Sequence, residues 1–243
     1  IPALVDFNNQ LKKLGIRLIV VPVPPKLAIY PAGGLAVGEA ARNLRNFEAE
    51  LRDRGIEVLD LTADFIAAKE QGVYCRQDAH WSPAGIMIAA KKLAAAIGLR
   101  GQAGFTATER KIKIVGDLMT SLDKNAAPSE ELTVREISGP IFSSDSPILV
   151  LGDSHTLVFS AGGDMLGKNA GLCEQLAYDL QLPVERIAVK GSASTSVRIN
   201  LYRKTRKDPD WLQHKKVVIW CFSCREFTES TNGWVKVPVT KKR

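Results

Sequence analysis

The sequence is short of several residue types and patterns, and each shortage argues against a class of protein. Of its 243 residues, three are histidine and four are cysteine, so it lacks the two Cys or His pairs of a zinc module. No run of 18 apolar residues occurs, which argues against a transmembrane helix within this sequence. Aromatic residues make up only 7%, so a stacking platform for nucleic acid is not evident.

The composition is otherwise that of a basic globular protein. Hydrophobic residues make up 45% and charged residues 24%, and the net charge is +7. Many of the basic residues lie in 198–216 and 236–243. Such a surface can attract nucleic acid, anionic lipid or an acidic polysaccharide, although a solvated surface without a partner is also compatible with this charge. The length suits one large α/β domain or two small ones, and we expect a single domain over 1–243.

Short apolar runs alternate with helical patterns along the chain. This alternation predicts an α/β fold with a doubly wound, mainly parallel sheet and helices on both faces. The predicted strands are 16–21, 56–60, 148–151, 186–190 and 217–222. The predicted helices are 1–15, 42–54, 61–71, 83–97, 170–180 and 197–204. Pro22, Pro24 and Pro25 are expected to end the first strand, because proline cannot donate to a ladder.

Residues 98–147 depart from this alternation. Within them, 110–115 and 132–137 alternate in polarity like half-exposed strands, and a polar stretch from Asp117 to Ser129 separates the two. We interpret the segment as an insertion, a small antiparallel element over the functional site, rather than as a separate domain.

The run Ile148-Leu-Val-Leu-Gly-Asp-Ser-His155 is the first candidate for a functional turn. Its four apolar residues predict a buried parallel strand that ends at Gly152, and a helix can open at Thr156. A serine on a sharp turn from strand to helix exposes a nucleophilic hydroxyl in many hydrolases, and the Ser154 amide would face a developing oxyanion. The alternative is an ordinary helix N-cap formed by the Asp or the Ser.

A second stretch, Arg76-Gln-Asp-Ala-His-Trp-Ser-Pro83, offers the base that a serine nucleophile needs. Asp78 and His80 are two residues apart and share one side of an extended segment, so the carboxylate can orient one imidazole nitrogen while the other faces the serine. The alternative is a solvated loop with a surface histidine. Of the remaining histidines, His155 is expected to point elsewhere along the turn, and His214 lies in a charged, solvated stretch.

Taken together, these motifs resemble the alginate O-acetyltransferase family, whose members are SGNH-hydrolase-like. The resemblance rests on Asp-x-His-Trp-Ser-Pro before an Ala-rich helix, on Gly-Asp-Ser-His after a strand, and on Val21-Pro-Val-Pro-Pro-Lys-Leu-Ala-Ile-Tyr-Pro31. It extends from about Leu18 to Phe227. In ordinary SGNH hydrolases the Asp and His lie near the C-terminus with two residues between them. Here they precede the serine with one residue between them, as in the acetyltransferases, and geometry rather than chain order makes a triad.

The motifs predict a catalytic triad of Ser154, His80 and Asp78. Gly191 lies in a loop of small residues after the predicted strand 186–190. By its position in the family pattern, the Gly191 amide would complete an oxyanion hole with the Ser154 amide. An ordinary serine-rich turn is the alternative.

The candidates for substrate contact are Arg225, Trp81, Tyr30 and Lys26. Arg225 follows the predicted strand 217–222 and could clamp a carboxylate or an oxyanion. It could equally form a salt bridge with Glu226 or Asp153. Trp81 is expected to be structural or to form the groove, because an indole offers one donor and no base.

The cysteines do not suggest a site. Cys221 and Cys224 have the spacing of a redox or zinc motif, but no second pair completes a zinc site. We expect core thiols, or a disulfide if the compartment is oxidising. No metal or cofactor is expected.

Two functions remain open. The first is O-acetyl transfer through a Ser154 ester to hydroxyls of an exported, anionic, alginate-like polysaccharide; the alternative is an SGNH-type esterase or deacetylase with water as acceptor. A glycan-binding module without activity is a weaker third. The resemblance implies a periplasmic location and a membrane-bound acetyl-donor protein. No nucleic-acid partner is expected, because the sequence shows no nucleic-acid motif. Because the chain begins with Ile1 rather than Met, a membrane anchor could lie in a preceding segment.

Overall fold

The computed structural model describes residues 1–34, 36–121, 129–229 and 233–241. Positions 122–128 of the predicted polar stretch and 242–243 of the basic C-terminus lie outside them. The β-strands are β1 (Arg17–Val23), β2 (Glu57–Val58), β3 (Thr106–Ile114), β4 (Glu130–Ser138), β5 (Ile148–Gly152), β6 (Glu185–Ala188) and β7 (Val217–Ser223). The α-helices are α1 (Pro2–Lys13), α2 (Lys26–Ile29), α3 (Arg42–Asp53), α4 (Thr62–Ala67), α5 (Pro83–Ile97), α6 (Asp117–Thr120), α7 (Ser154–Leu157), α8 (Leu172–Leu180), α9 (Ser196–Lys207) and α10 (Arg225–Glu229).

Five of the strands form one parallel sheet in the order β2-β1-β7-β5-β6. Alternate side chains of this sheet enter two separate cores, as the pleat requires. One core contains Ile19 and Ile219 together with residues of α4, α5 and α8. The other contains Val20 and Trp220 together with residues of α1 and α9. The predicted doubly wound parallel sheet with helices on both faces is therefore confirmed.

The register of the sheet places the carboxyl ends of four strands side by side. Val23 at the end of β1 is opposite Ser223 of β7, and Gly152 of β5 is opposite both Cys221 of β7 and Ala188 of β6. The loops that follow these strands therefore leave the sheet at one edge. In open α/β sheets this edge is where ligands bind.

The expectation that Pro22 ends the first strand is wrong. β1 continues to Val23, and Pro22 is paired with Phe222 of β7. On the other side, β2 pairs with β1 only at Ile19 and Val20 in the part of the chain that the structure describes. No ladder bond is therefore required from the nitrogen of Pro22, which carries no hydrogen.

Within 98–147, β3 and β4 form an antiparallel pair from Thr106 opposite Ser138 to Ile114 opposite Glu130. β4 packs against α8, where Arg135 donates to the side chain of Gln175 at 2.6 Å. The short helix α6 follows β3 directly. The hairpin lies outside the five-stranded sheet, and we refer to the hairpin and α6 together as the inserted element, after the insertion predicted for this segment.

The cysteines are all free. Cys221 is buried within β7, and burial raises the pKa of the Cys224 thiol to about 12. A neutral thiol is a poor nucleophile and a poor metal ligand, which agrees with core thiols rather than a redox or zinc pair. None of the described helices has both the length and the apolar character that crossing a membrane requires.

Candidate active site

A cleft of about 1160 Å³ opens at the carboxyl ends of β1, β5 and β7, beside the loop that follows β6. Its other wall comes from the inserted element, through residues between Lys113 and Thr120. Seven of the eight predicted site residues line it: Ser154, His80, Asp78, Gly191, Arg225, Tyr30 and Lys26. The eighth, Trp81, does not. These seven residues come from five separate stretches of sequence and converge on one cleft.

The turn that carries Ser154 leaves the sheet abruptly. β5 ends at Gly152, and α7 begins two residues later at Ser154. A Cβ atom at Gly152 would lie 2.1 Å from the Cγ2 atom of Thr156, so only glycine fits beneath the returning chain. The glycine is needed for this close approach of Thr156, and the Ser154 hydroxyl is thereby held where the sheet edge meets the cleft.

Asp153, rather than Ser154, is the N-cap of α7. One of its carboxylate oxygens accepts from the His155 amide at 2.8 Å, and the other accepts from the Ser223 amide of β7 at 2.7 Å. Burial would raise the pKa of Asp153, but the nearby His155 side chain and the two amides outweigh it, so the pKa lies below its usual value. Asp153 therefore takes the N-cap role that the alternative predicted, while the adjacent Ser154, which is 9% exposed, lines the cleft.

Asp78 and His80 form a close pair. The Nδ1 atom of His80 lies 2.6 Å from Oδ1 of Asp78, and the same oxygen accepts from the His80 amide at 2.9 Å. The Asp117 amide donates to the other oxygen of Asp78 at 3.0 Å. Burial opposes ionisation, but these hydrogen bonds lower the pKa of Asp78 to about 2. A carboxylate only accepts, so Nδ1 carries the proton and Nε2 remains as the acceptor of the imidazole.

The expectation that His155 points away from the site is wrong. Its ring lines the cleft, and the ring centroids of His155 and His80 are 4.9 Å apart. The Nδ1 atom of His155 lies 3.4 Å from Asp153 but makes no hydrogen bond within the described residues. The turn bends sharply enough that consecutive side chains, Ser154 and His155, both reach the cleft.

The expectation that Trp81 contacts substrate is also wrong. Its side chain is 0% exposed, and its ring packs edge-on against that of His155, with the centroids 5.5 Å apart. Its indole nitrogen donates to the carbonyl of His155 at 2.9 Å. The structural alternative for Trp81 therefore fits, because the side chain ties the segment after His80 to the turn that carries Ser154.

Lys26 and Tyr30 line the cleft, yet their polar atoms bind the protein backbone. The Lys26 ammonium donates to the carbonyls of Cys75 at 2.6 Å, Asp78 at 3.0 Å and Arg76 at 3.2 Å. Because an ammonium has three protons, this set leaves none for a substrate. Burial lowers the pKa of Lys26. The side chain therefore stabilises the loop that carries Asp78, a role that its position after two prolines did not indicate.

Tyr30 makes an equivalent contact further along the same segment. Its hydroxyl donates to the carbonyl of Lys69 at 2.7 Å and accepts from the amide of Val73 at 3.0 Å. Both bonds hold the chain that leads into the loop of Asp78. Tyr30 can still offer the edge of its ring to a ligand, since it lines the cleft.

Gly191 and Arg225 contact each other where the loops after β6 and β7 line the cleft. Gly191 has φ of +89°, which favours glycine, and no hydrogen bond among the described residues uses its amide or that of Ser154. Arg225 donates to the carbonyl of Gly191 at 3.1 Å. Glu226, which was considered as a partner for Arg225, accepts from the amide of Ala193 at 2.6 Å. Two consecutive residues after β7 therefore support the loop that carries the proposed oxyanion donor.

Asp117 was not singled out from the sequence. With Asp78 and His80, it forms a group in which one potential ligand atom of each residue lies within 4.8 Å of the others. The Asp117 carboxylate accepts from the Ala79 amide at 2.8 Å, and Asp78 is hydrogen bonded to the imidazole. The group therefore orients the imidazole through hydrogen bonds, which is chemistry suited to a general base.

A parallel α/β sheet, a serine on the turn after a central strand, and an Asp–His pair in the same cleft define an SGNH-hydrolase-like domain. A family model described as "SGNH hydrolase-like domain, acetyltransferase AlgX" matches residues 1–224, and the chain belongs to this family.

Curated relatives share parts of the sequence. The probable alginate O-acetylase AlgJ of Pseudomonas fluorescens is 31% identical over 174 residues, which cover 61% of this chain and 44% of that protein. The protein of the same name from Pseudomonas syringae pv. tomato is 38% identical over 94 residues, covering 37% of this chain and 24% of that protein. The chain thus spans less than half the length of these relatives.

Solved structures share the fold. The O-acetyltransferase domain of Pseudomonas putida AlgJ matches with a TM-score of 0.73 at 23% identity, over 94% of this chain and 82% of that one. AlgX of Pseudomonas aeruginosa matches with a TM-score of 0.71 at 21% identity, over 91% of this chain and 54% of that one. At these identities, the similarity concerns the fold alone.

Proposed function

We propose that this chain is a polysaccharide O-acetyltransferase that works through an acetyl ester on Ser154. The observation that carries the proposal is the 2.6 Å hydrogen bond between Asp78 and His80, in the cleft that Ser154 also lines. A hydroxyl, an imidazole and an orienting carboxylate are the parts that acyl transfer through a serine ester requires. The names of the relatives, alginate O-acetylases, support acetyl transfer as the reaction.

In the first half-reaction, the Ser154 oxygen attacks the acetyl carbonyl of the donor while Nε2 of His80 takes the hydroxyl proton. Asp78 accepts from Nδ1 and stabilises the imidazolium that forms. The amides of Ser154 and Gly191 donate to the oxyanion of the tetrahedral intermediate. When the intermediate collapses, His80 returns the proton to the leaving atom of the donor, and the acetyl group remains on Ser154.

In the second half-reaction, a sugar hydroxyl takes the place of the donor. His80 removes its proton as its oxygen attacks the acetyl carbon, and the Ser154 oxygen leaves and recovers the proton from His80. The products are an acetylated sugar and the free serine. If water takes the place of the sugar, the same steps make the protein an esterase, so the acceptor decides between the two functions.

Positive and negative side chains nearly balance in the lining of the cleft. Four cationic side chains and three carboxylates line it: Lys26, Lys113, Lys190, Arg225, Asp78, Asp117 and Asp164. Lys190 is paired with Asp164, and the ammonium of Lys26 binds backbone carbonyls. The net charge of +7 is therefore not concentrated here. We base the anionic acceptor on the relatives named for alginate, with Lys113 and Arg225 as its contacts.

The remaining parts of the proposal concern the setting of the reaction. We propose that the enzyme acts in the periplasm on a polysaccharide during its export, and that a donor protein in the membrane supplies the acetyl group. The family and the names of the relatives support acetylation of alginate, from which this setting is inferred.

The decisive experiment supplies the protein with a small acetyl ester and either a uronate or a neutral oligosaccharide. We expect the uronate to gain the mass of acetyl groups, and the gain to weaken with rising salt, because exposed charges are screened within about 10 Å at 0.1 M ionic strength. Ser154→Ala should abolish the gain, whereas Ser138→Ala, at an exposed position of the hairpin, should not. Rapid hydrolysis of an acetylated polymer without transfer to either sugar would instead identify an esterase.

A further inference from the structure

The loop of residues 76–80, which carries Asp78 and His80, belongs to no helix or strand. Its backbone donors are therefore not satisfied by a ladder or by a helical turn, and they need other partners. The amides of Arg76, Gln77 and Ala79 find these partners in the inserted element, which contributes no strand to the central sheet.

Glu130, the first residue of β4, supplies the most complete of these contacts. Its two carboxylate oxygens accept separately from the amides of Arg76 and Gln77, each at 3.0 Å. The Arg76 guanidinium lies 3.7 Å away, and the Glu130 side chain is only 4% exposed. Charge-assisted hydrogen bonds of this kind are about twice as strong as neutral ones, and two of them fix both position and orientation.

Two neighbouring contacts join the same surfaces. The Leu118 amide donates to the carbonyl of Gln77 at 3.1 Å. At Gly116, an added Cβ atom would lie 2.0 Å from that carbonyl oxygen and 2.7 Å from the Cβ of Asp78. The inserted element therefore approaches the loop at backbone distance, and any side chain larger than hydrogen at Gly116 would force the two apart.

We propose that Glu130 is a positioning residue of the active site, which sets the loop 76–80 so that the imidazole of His80 faces Ser154. This inference rests on the proposed function. Glu130 is not among the residues that line the cleft, and its side chain is buried. It acts on the reaction only through the backbone on which Asp78 and His80 stand. A displacement of a catalytic group by about 1 Å can slow a reaction about 100-fold, so this backbone contact matters for the rate.

The kinetic test compares Glu130→Gln with Glu131→Gln. Glu131 is the next residue of the same strand, is exposed and pairs with Lys111 at 3.0 Å, so the control removes the same charge without touching the loop. We expect Glu130→Gln to lower kcat about 10- to 100-fold, with KM within about twofold, because binding groups stay in place. Glu131→Gln should match the wild type. Equal kcat values for the two variants would overturn the inference.

A second measurement does not depend on any acetyl substrate. A sulfonyl fluoride reacts with an activated serine: the Ser154 oxygen bonds to sulfur, fluoride leaves, and His80 takes the proton. We expect Glu130→Gln to slow this labelling about as much as it lowers kcat. In parallel, hydrogen exchange at the Arg76 and Gln77 amides should accelerate in Glu130→Gln and not in Glu131→Gln. Faster exchange with unchanged labelling and kcat would show that the contact is merely structural and would contradict the proposal.

Gly116→Ala provides a variant that keeps every carboxylate. We expect it to reduce labelling of Ser154 in the same way, with circular dichroism showing that the chain remains folded. Failure of the proposed function is recognised separately. A wild-type protein that is neither labelled at Ser154 nor able to transfer acetyl contradicts the triad itself. A wild-type protein that does both, while Glu130→Gln and Gly116→Ala behave like it, contradicts only the role of Glu130.

Discussion

The two loops that carry the proposed catalytic groups are held in place by different means. The turn of Ser154 continues directly from β5, a strand with paired neighbours on both sides, and Asp153 fastens it to the end of β7. The loop of His80 follows no strand of the central sheet. It is held by side chains from elsewhere, notably the ammonium of Lys26 and the carboxylate of Glu130.

Because of this difference, substitutions at the two loops should differ in how far they affect folding stability and catalytic activity. A change at Asp153 in the serine turn disturbs the middle of the sheet and should affect folding, since buried amide donors lose their acceptor there. A change around the loop of His80 leaves the central sheet intact and acts mainly on the position of the base. The nucleophile therefore belongs to the fold itself, whereas the base is positioned by contacts that can be altered while the sheet persists.

The largest effect is expected when a reacting group is removed from either loop. Ser154→Ala and His80→Ala should each lower acetyl-ester turnover by about 10⁴-fold or more, and by similar amounts, because members of a triad act as a unit. The Ser154 side chain faces the cleft and has no such partner among the described side chains, so the thermal melt of Ser154→Ala should change little. His80→Ala, in contrast, deprives the buried Asp78 carboxylate of its imidazole partner and should lower the melting temperature. The measurement is kcat/KM beside a melting curve.

His155→Ala is the matched control for His80→Ala, since both imidazoles line the cleft. We expect a loss below about tenfold, because Nδ1 of His155 lies 3.4 Å from Asp153 and makes no hydrogen bond to any described residue that would orient the ring. A loss at His155 as large as that at His80 would make His155 the base and would refute the assignment of Asp78 and His80.

A smaller effect is expected when the support of the base loop is removed. Lys26→Met keeps the length of the side chain but leaves three carbonyls without their donor. We expect kcat to fall about 10- to 100-fold with KM nearly unchanged, because the base moves and the binding surface does not. Steady-state kinetics with an acetyl ester measure both constants.

Lys12→Met is the control for this change. The Lys12 ammonium also donates to a carbonyl, that of Gly55, at 3.1 Å, but it lies on α1 and does not line the cleft. Lys12→Met should therefore leave kcat and KM unaltered. A rise in KM for Lys26→Met with unchanged kcat would restore the original expectation that Lys26 contacts the substrate.

The sequence reveals most of what is local. The parallel sheet follows from apolar runs that alternate with helices, and the Asp78–His80 pair follows from a spacing of two residues. What it cannot reveal is contact across long separations. Glu130 is one acidic residue in an alternating strand, and nothing in that pattern distinguishes it from the exposed Glu131.

Two expectations differ from the structure because of tertiary packing. Pro22 was expected to end a strand because proline cannot donate to a ladder, and Trp81 was a candidate for substrate contact as well as for a structural role. In the structure, Pro22 lies beyond the last pairing with β2, and Trp81 is enclosed between the site and the core. In both cases tertiary packing, rather than residue type alone, decides where the side chain lies.

A milder effect is expected where the two loops touch. Trp81→Phe removes the indole hydrogen bond to the carbonyl of His155 and leaves that buried acceptor without its donor. We expect a loss of about 1–3 kcal/mol in the free energy of unfolding and less than a tenfold loss of activity. Chemical denaturation and initial rates test the two parts. Activity as low as that of His80→Ala would contradict a structural role for Trp81.

The smallest expected effect is a loss of folding stability at acidic pH. The folded pKa of Asp78 is about 2, below its ordinary value of 3.8, so the carboxylate stabilises the fold above about pH 4 and loses this contribution as the pH falls toward 2. Between about pH 6 and pH 3 the advantage of the wild type over Asp78→Asn should shrink by about 1 kcal/mol. Urea unfolding across this range measures it. An advantage that is constant with pH would mean that Asp78 is not paired in the folded state.

The central claim is that acetyl passes through Ser154 with His80 as the base. The most direct test is to quench the protein during reaction with an acetyl ester and to map the acetyl group by peptide mass spectrometry. We expect acetylation on the peptide that contains Ser154 in the wild type, and none at that position in Ser154→Ala or His80→Ala. Acetyl found on another residue, or a Ser154 ester that forms as fast in His80→Ala as in the wild type, would contradict the account.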